Sequence, residues 1–193
     1  MEYSDIAPMM GCLWSPLAAV TTHWKGRDNV QIAVAIAAAS IVPDRPRVAV
    51  QLYKTNLTHD MVLSGGVFAL NFLRPEQLGL IGDFGLVSGR DKDKLEGVAK
   101  TAGESGSPLL TDCFGYLDCR VINAMDGGDM TCFLAEVLDG KTLDQGEPFW
   151  WRDARRELPQ EWLTRWETKQ SAEIATSRVT MDKVSYTPWQ PGA

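Results

Sequence analysis

Histidine is scarce in this chain of 193 residues: only His23 and His59 are present, beside four cysteines, Cys12, Cys113, Cys119 and Cys132, none in a Cys-x-x-Cys pair. No combination of these residues has metal-ligand spacing, so the sequence offers no metal chemistry, and scattered cysteines suit reduced thiols better than a disulfide framework. Basic charge is also short. With 19 Lys and Arg against 25 Asp and Glu, the net charge is −6, which argues against nucleic acid or an anionic membrane surface as a partner, since both reward clustered cations. The longest apolar run, Ile32 to Ala39, falls far short of the roughly 20 residues that cross a bilayer as a helix. The start, MEYSDIAPMMG, has no basic region ahead of an apolar one and does not read as a secretory signal. A cytoplasmic protein is the expectation.

What is present describes an ordinary globular chain. It is 45% hydrophobic and 23% charged, enough to bury a sizeable core, and its length suits one domain with an extension. From Leu17 to Leu52 the pattern is strand-like: Leu17 to Thr22, a turn cluster at Lys25 to Asn29, Val30 to Ser40, and Val48 to Leu52, with Pro43 and Pro46 marking a connection. A polar loop from Tyr53 to Leu57 precedes a short helix, Thr58 to Ser64, with Thr58 as its N-cap and Gly65-Gly66 as its stop. Val67 to Leu73 reads as a further strand, Pro75 opens a second helix to about Phe84, and Asp91 to Leu95 reads as a helical turn. After a connector at Gly103 to Pro108, Tyr116 to Ala124 and Met130 to Leu138 form a hairpin about Asp126-Gly127-Gly128. Many short strands with inserted short helices predict a mainly β protein, a closed or nearly closed barrel.

The character changes after residue 144. Five of the seven tryptophans, at 150, 151, 162, 166 and 189, fall in the last segment. Leu158 to Ser177 reads as an amphipathic helix with Trp162, Leu163 and Trp166 on one side. The expected organisation is a barrel domain over residues 1–144 and a tryptophan-rich helical extension over 145–193, packed on the barrel or on a second subunit.

Two short stretches have the chemistry to hold a phosphate. In the first, Lys54 supplies a compact cation while Thr55, Asn56 and Thr58 bring donors beside a helix N-terminus, whose free N–H groups favour anions. In the second, Ser88-Gly89-Arg90, the glycine permits close backbone approach and the guanidinium offers a planar fork.

Three stretches carry a resemblance: QIAVAIAAASIVPDRPRVAVQLYKTNLTH, then FALNFL, then FGLVSGRDKDK. In this order they resemble the flavin reductase-like family, whose members hold FMN in a split β-barrel, and the similarity extends from about Pro16 to Gly140. The resemblance implies three flavin-contacting zones: Ile32, Ala33, Val34 and Ala35; then Gln51, Leu52, Tyr53, Lys54, Thr55, Asn56 and Thr58; then the stretch from Val87 through Ser88, Gly89 and Arg90 to Lys92. It implies FMN as cofactor, NADH or NADPH as co-substrate, hydride transfer from nicotinamide to flavin N5, a homodimer, and a possible redox partner protein. His59, directly after the phosphate loop, is the candidate catalytic or orienting residue on the nicotinamide side. The cofactors carry the chemistry, so no Ser–His–Asp set or paired carboxylates are required. One departure stands out. Many members carry Thr, Ser or Asn in the first zone, where this chain has only apolar side chains, leaving backbone groups to meet the ring edge. Two other readings therefore stay open: an FMN-binding electron carrier without NAD(P)H turnover, and a split barrel that has lost FMN and takes another planar ligand such as haem.

Overall fold

In the structure, a computed structural model describing residues 2–184, seven antiparallel strands curl into a half-barrel in the order β2-β1-β5-β8-β9-β4-β3. They are β1 (Ala18–Trp24), β2 (Arg27–Ala33), β3 (Ile36–Ala38), β4 (Arg47–Tyr53), β5 (Val67–Phe72), β8 (Gly115–Asp126) and β9 (Met130–Thr142), while β6 (Lys100–Ala102) and β7 (Pro108–Leu110) form a separate ribbon. The α-helices among the described residues are α1 (Tyr3–Met10), α2 (Leu57–Gly65), α3 (Gly79–Gly85), α4 (Trp151–Glu157) and α5 (Gln160–Met181), with a 3-10 turn at Pro75–Gln77 ahead of α3. Trp189 lies outside the described residues.

The two-residue period of the strands sorts their side chains into two cores. Ala18, Val20, Ala33, Val50, Leu52, Phe68 and Phe133 fill the barrel interior. Leu17, just ahead of β1, and Ala19 and Val30, from the opposite faces of β1 and β2, join Ile81 and Phe84 of α3 and Ala154 and Leu158 of the C-terminal segment in a second cluster outside the barrel. β1 is therefore buried along both faces. The barrel wall lets the backbones approach closely at Gly115, where an added Cβ would stand 2.7 Å from the Lys141 carbonyl oxygen of β9.

Several expectations are adjusted by tertiary context. The run Val30 to Ser40 is not one strand: β2 pairs with β1 and β3 pairs with β4, so the chain crosses between opposite ends of the sheet at Val34–Ala35. The turn at 25–29 shrinks to Lys25-Gly26, both with positive φ (50° and 75°), a two-residue hairpin turn that leaves Asp28 and Asn29 in the strand. The helix after β4 starts two residues earlier than expected, with Asn56 rather than Thr58 in the N-cap position. Residues 91–95 form turns, not a helix. The C-terminal helix is preceded by α4, which Leu158-Pro159 separates from α5. Among the described residues, no helix is long and apolar enough to cross a membrane.

Candidate functional site

The crossing at Val34–Ala35 splits the barrel, and two of the three sequence zones flank the split. β3 pairs with β4 only through Val48 to Val50, and β2 pairs only with β1. Among the described residues, Gln31 to Ala33 and Gln51 to Tyr53 thus present edges without a strand partner on the facing side, joined at their base by the Gln51 N–H donating to the Ala35 carbonyl (3.0 Å). Ile32 and Val34 turn outward against the second cluster, while Ala33 and Leu52 turn into the barrel. The Val34 carbonyl accepts both the N–H and the hydroxyl of Ser15, each at 2.7 Å.

The polar loop after β4 is held by charge and hydrogen bonds. Lys54 Nζ lies 2.5 Å from Oδ1 of Asp126, the last residue of β8. That ammonium, with the Gly128 N–H, holds the Asp126 carboxyl below the usual carboxylate range. Thr55 Oγ1 donates to Glu173 Oε1 of α5 (3.3 Å). The Asn56 N–H donates to the Tyr53 carbonyl (3.1 Å). The Tyr53 phenol is raised above its ordinary pKa, chiefly by burial and then by Asp129, Glu173 and Tyr3. Thr58 does not face this loop: its side chain is buried inside α2, where Oγ1 accepts from Asn29 Nδ2 at 2.8 Å.

The third zone is tied directly to the second. Arg90 donates to the Thr55 carbonyl (3.1 Å) and pairs with Asp60 (2.7 Å). Ser88 Oγ accepts the Arg90 N–H (3.1 Å), shaping the turn after the half-buried Val87. Gly89 is there because nothing larger fits: a Cβ would lie 2.0 Å from Asn29 Oδ1, and the Gly89 carbonyl accepts from the Arg27 guanidinium. Asn29 is thus the residue where strand β2, helix α2 and the glycine turn meet. Sequence reasoning missed it by assigning Asp28-Asn29 to the turn.

His59 is placed otherwise than expected. The residue is 3% exposed, Nε2 meets Thr131 Oγ1 at 2.8 Å, Nδ1 meets Asp60 Oδ1 at 3.1 Å, and the ring packs on Phe133. With both ring nitrogens engaged inside the protein, its geometry is that of a packing residue fastening α2 to β9.

Two further cations sit at the C-terminal end of α3, where unpaired carbonyls attract positive charge. Lys94 Nζ donates to the Phe84 carbonyl (2.8 Å) and Lys169 Nζ of α5 to the Gly85 carbonyl (2.9 Å). Burial, then the neighbouring Lys169, lowers the Lys94 pKa to about 8 from 10.5. A lowered folded-state pKa means that the unfolded chain holds the proton longer, so between about pH 8 and 10.5 stability rises with pH, and below pH 8 the full penalty is present. Above pH 9 the buried thiols Cys113 and Cys119, raised to about 11 and about 12, act in the opposite sense. Comparison with Lys94→Met isolates the lysine: wild type should gain about 1 kcal/mol on the variant between pH 7 and 9 in urea unfolding. A difference that stays flat across that range contradicts the assignment.

Known proteins resemble this chain in sequence and in fold. The family model described as flavin reductase like domain matches residues 10–159. The high molecular weight rubredoxin of Moorella thermoacetica is 38% identical over 67% of this chain and 57% of its own length. The chain thus spans little more than half of that relative. The ferric-chelate reductase (NAD(P)H) of Archaeoglobus fulgidus is 31% identical over 69% of this chain and 79% of its own. Nitrilotriacetate monooxygenase component B from Mycobacterium thermoresistibile, 20% identical, superposes with a TM-score of 0.67 over 98% of this chain and 93% of its own, a likeness of fold that includes the C-terminal helices.

Proposed function

Because the chain belongs to the flavin reductase-like family, we propose that it is an FMN-dependent NAD(P)H:flavin oxidoreductase. The observation that carries this reading is the junction of the phosphate loop and the glycine turn through Arg90 and the Thr55 carbonyl, beside the split between β2 and β4.

The residues present suit FMN. Lys54 and Arg90 are two cations held at the loop by exposed carboxylate pairs, which are weak enough for a phosphate to displace. The first N–H groups of α2, after Asn56, add donors at a helix N-terminus. Gly89 keeps the backbone close to the strand. Ile32 and Val34 give the outer wall of the split an apolar surface that excludes water, and the unpaired backbone edge of β2 is left to meet the ring's polar rim. The flavin ring, when bound, supplies the hydride acceptor for the nicotinamide. His59 acts in this account by positioning α2, and not by touching substrate.

Electrons would then pass to free flavin, a ferric chelate or a partner monooxygenase, and the working unit would be a homodimer. The relatives named as a ferric-chelate reductase and a monooxygenase component support that range. A relative named high molecular weight rubredoxin favours one second reading, an FMN-holding electron carrier that turns over NAD(P)H slowly. Steady-state oxidation of NADH and NADPH separates the two. The reductase reading expects nucleotide consumption that rises with added FMN, and consumption at the rate of protein-free controls for both nucleotides would overturn it.

A further inference from the structure

Helix α5 runs from the end of α3, beside Ile32 of the first zone, to Thr55 of the second. Near its start, Trp162 covers Gly82 so closely that a Cβ there would stand 2.6 Å from the indole. One turn on, Trp166 and Ile32 converge on Gly85, each 3.5–3.7 Å from where a Cβ would be, and Trp166 also leans on Trp151 at 5.2 Å. Lys169 then reaches the Gly85 carbonyl, and Glu173 reaches Thr55 Oγ1 at 3.3 Å in the phosphate loop. No α5 residue is fully buried, so the helix lies on the barrel along one stripe and its second half is held to the loop by a polar contact. A carboxylate is the side chain closest in chemistry to a phosphate oxygen. Here it occupies a hydroxyl donor of the proposed phosphate loop while its own counter-ion, Lys169, stands 3.7 Å away.

We propose that Glu173 is an internal competitor for the flavin phosphate: docked α5 places its carboxylate on Thr55, and phosphate binding requires that contact to be given up. The inference rests on the reading of this site as an FMN site and adds a residue that sets how tightly a phosphorylated ligand is held. Release of Glu173 removes a negative charge from beside the phosphate and frees Thr55 as a donor. The competition discriminates between ligands, because it weakens those with a phosphate and leaves those without one unaffected.

The test titrates FMN and riboflavin separately into wild type, Glu173→Gln and Glu173→Ala, with binding followed by flavin fluorescence. Both variants should bind FMN about five- to tenfold more tightly than wild type, the scale of removing one like charge beside a partly exposed anion. Riboflavin affinity should not change. Unchanged or weakened FMN affinity in both variants overturns the inference, as does an equal gain for riboflavin, which would mean that Glu173 acts on the ring and not on the phosphate. Failure of wild type and variants alike to bind FMN would instead overturn the flavin reading, and this inference with it.

Discussion

Replacing Lys54 and Arg90 together by alanine is expected to weaken FMN binding about 100-fold and leave the barrel folded. Each side chain would contribute a charge-assisted hydrogen bond to the phosphate, worth about 1.5–3 kcal/mol, so losing both removes about two decades or more of affinity. The cost to the protein itself is small. Lys54 and Arg90 pair with Asp126 and Asp60, whose side chains are 52% and 50% exposed, and exposed pairs contribute less than about 1 kcal/mol each. Riboflavin supplies the control: lacking the phosphate, it should bind wild type and double variant alike. Equilibrium dialysis with both flavins, and thermal unfolding of both proteins, measure the two halves of this expectation. Unchanged FMN affinity would remove the phosphate from this loop.

Phe84→Ala is expected to have the largest effect on stability, about 3–5 kcal/mol, because deleting a buried phenyl ring loses its transfer free energy and leaves a cavity. Phe84 is 1% exposed and stands where α3 meets β2, the C-terminal helices and Leu95. Its carbonyl also anchors the Lys94 ammonium. At roughly 2–4 °C per kcal/mol for a chain of this size, the melting temperature should fall by about 10 °C. The glycine turn at 88–90 follows directly from α3, so flavin affinity should fall with it. Leu63→Ala on α2 is the comparison: at 57% exposure it should move the melting temperature little. Equal effects from the two substitutions would contradict the placement of the outer core.

The difference between Phe84 and Leu63 also shows what the sequence makes legible. Strand and helix existence follow local pattern, so the strands at 18–24, 47–53 and 67–72, the hairpin about Gly127 and the Gly66 helix stop are readable from alternation and turn residues. Which of two cores an apolar residue enters is not local. Val30 and Ala33 sit three positions apart on one strand and face different clusters. The same limit governs the site. Lys54, Thr55, Gly89 and Arg90 stand out by residue type, and the structure brings their two segments together through the Arg90 contact with Thr55. Thr58 and His59 have equally suggestive side chains, yet α2 begins early enough to turn both inward, onto Asn29 and Thr131. Asn29 and Glu173 become visible only when a strand and a helix distant in sequence meet the loop. Their identities alone, an asparagine beside a turn and a glutamate on a charged helix, carry no local signal of that meeting.

The central claim, that this split barrel holds FMN where a nicotinamide can reduce it, is tested most directly by single-turnover reduction. Protein, FMN in equal amount and excess NADH or NADPH are mixed without oxygen while the visible flavin absorbance is followed. The account predicts bleaching with at least one nucleotide that is much faster than for free FMN under the same conditions, and lost in the Lys54→Ala, Arg90→Ala double variant. Bleaching no faster than free FMN with both nucleotides would contradict it.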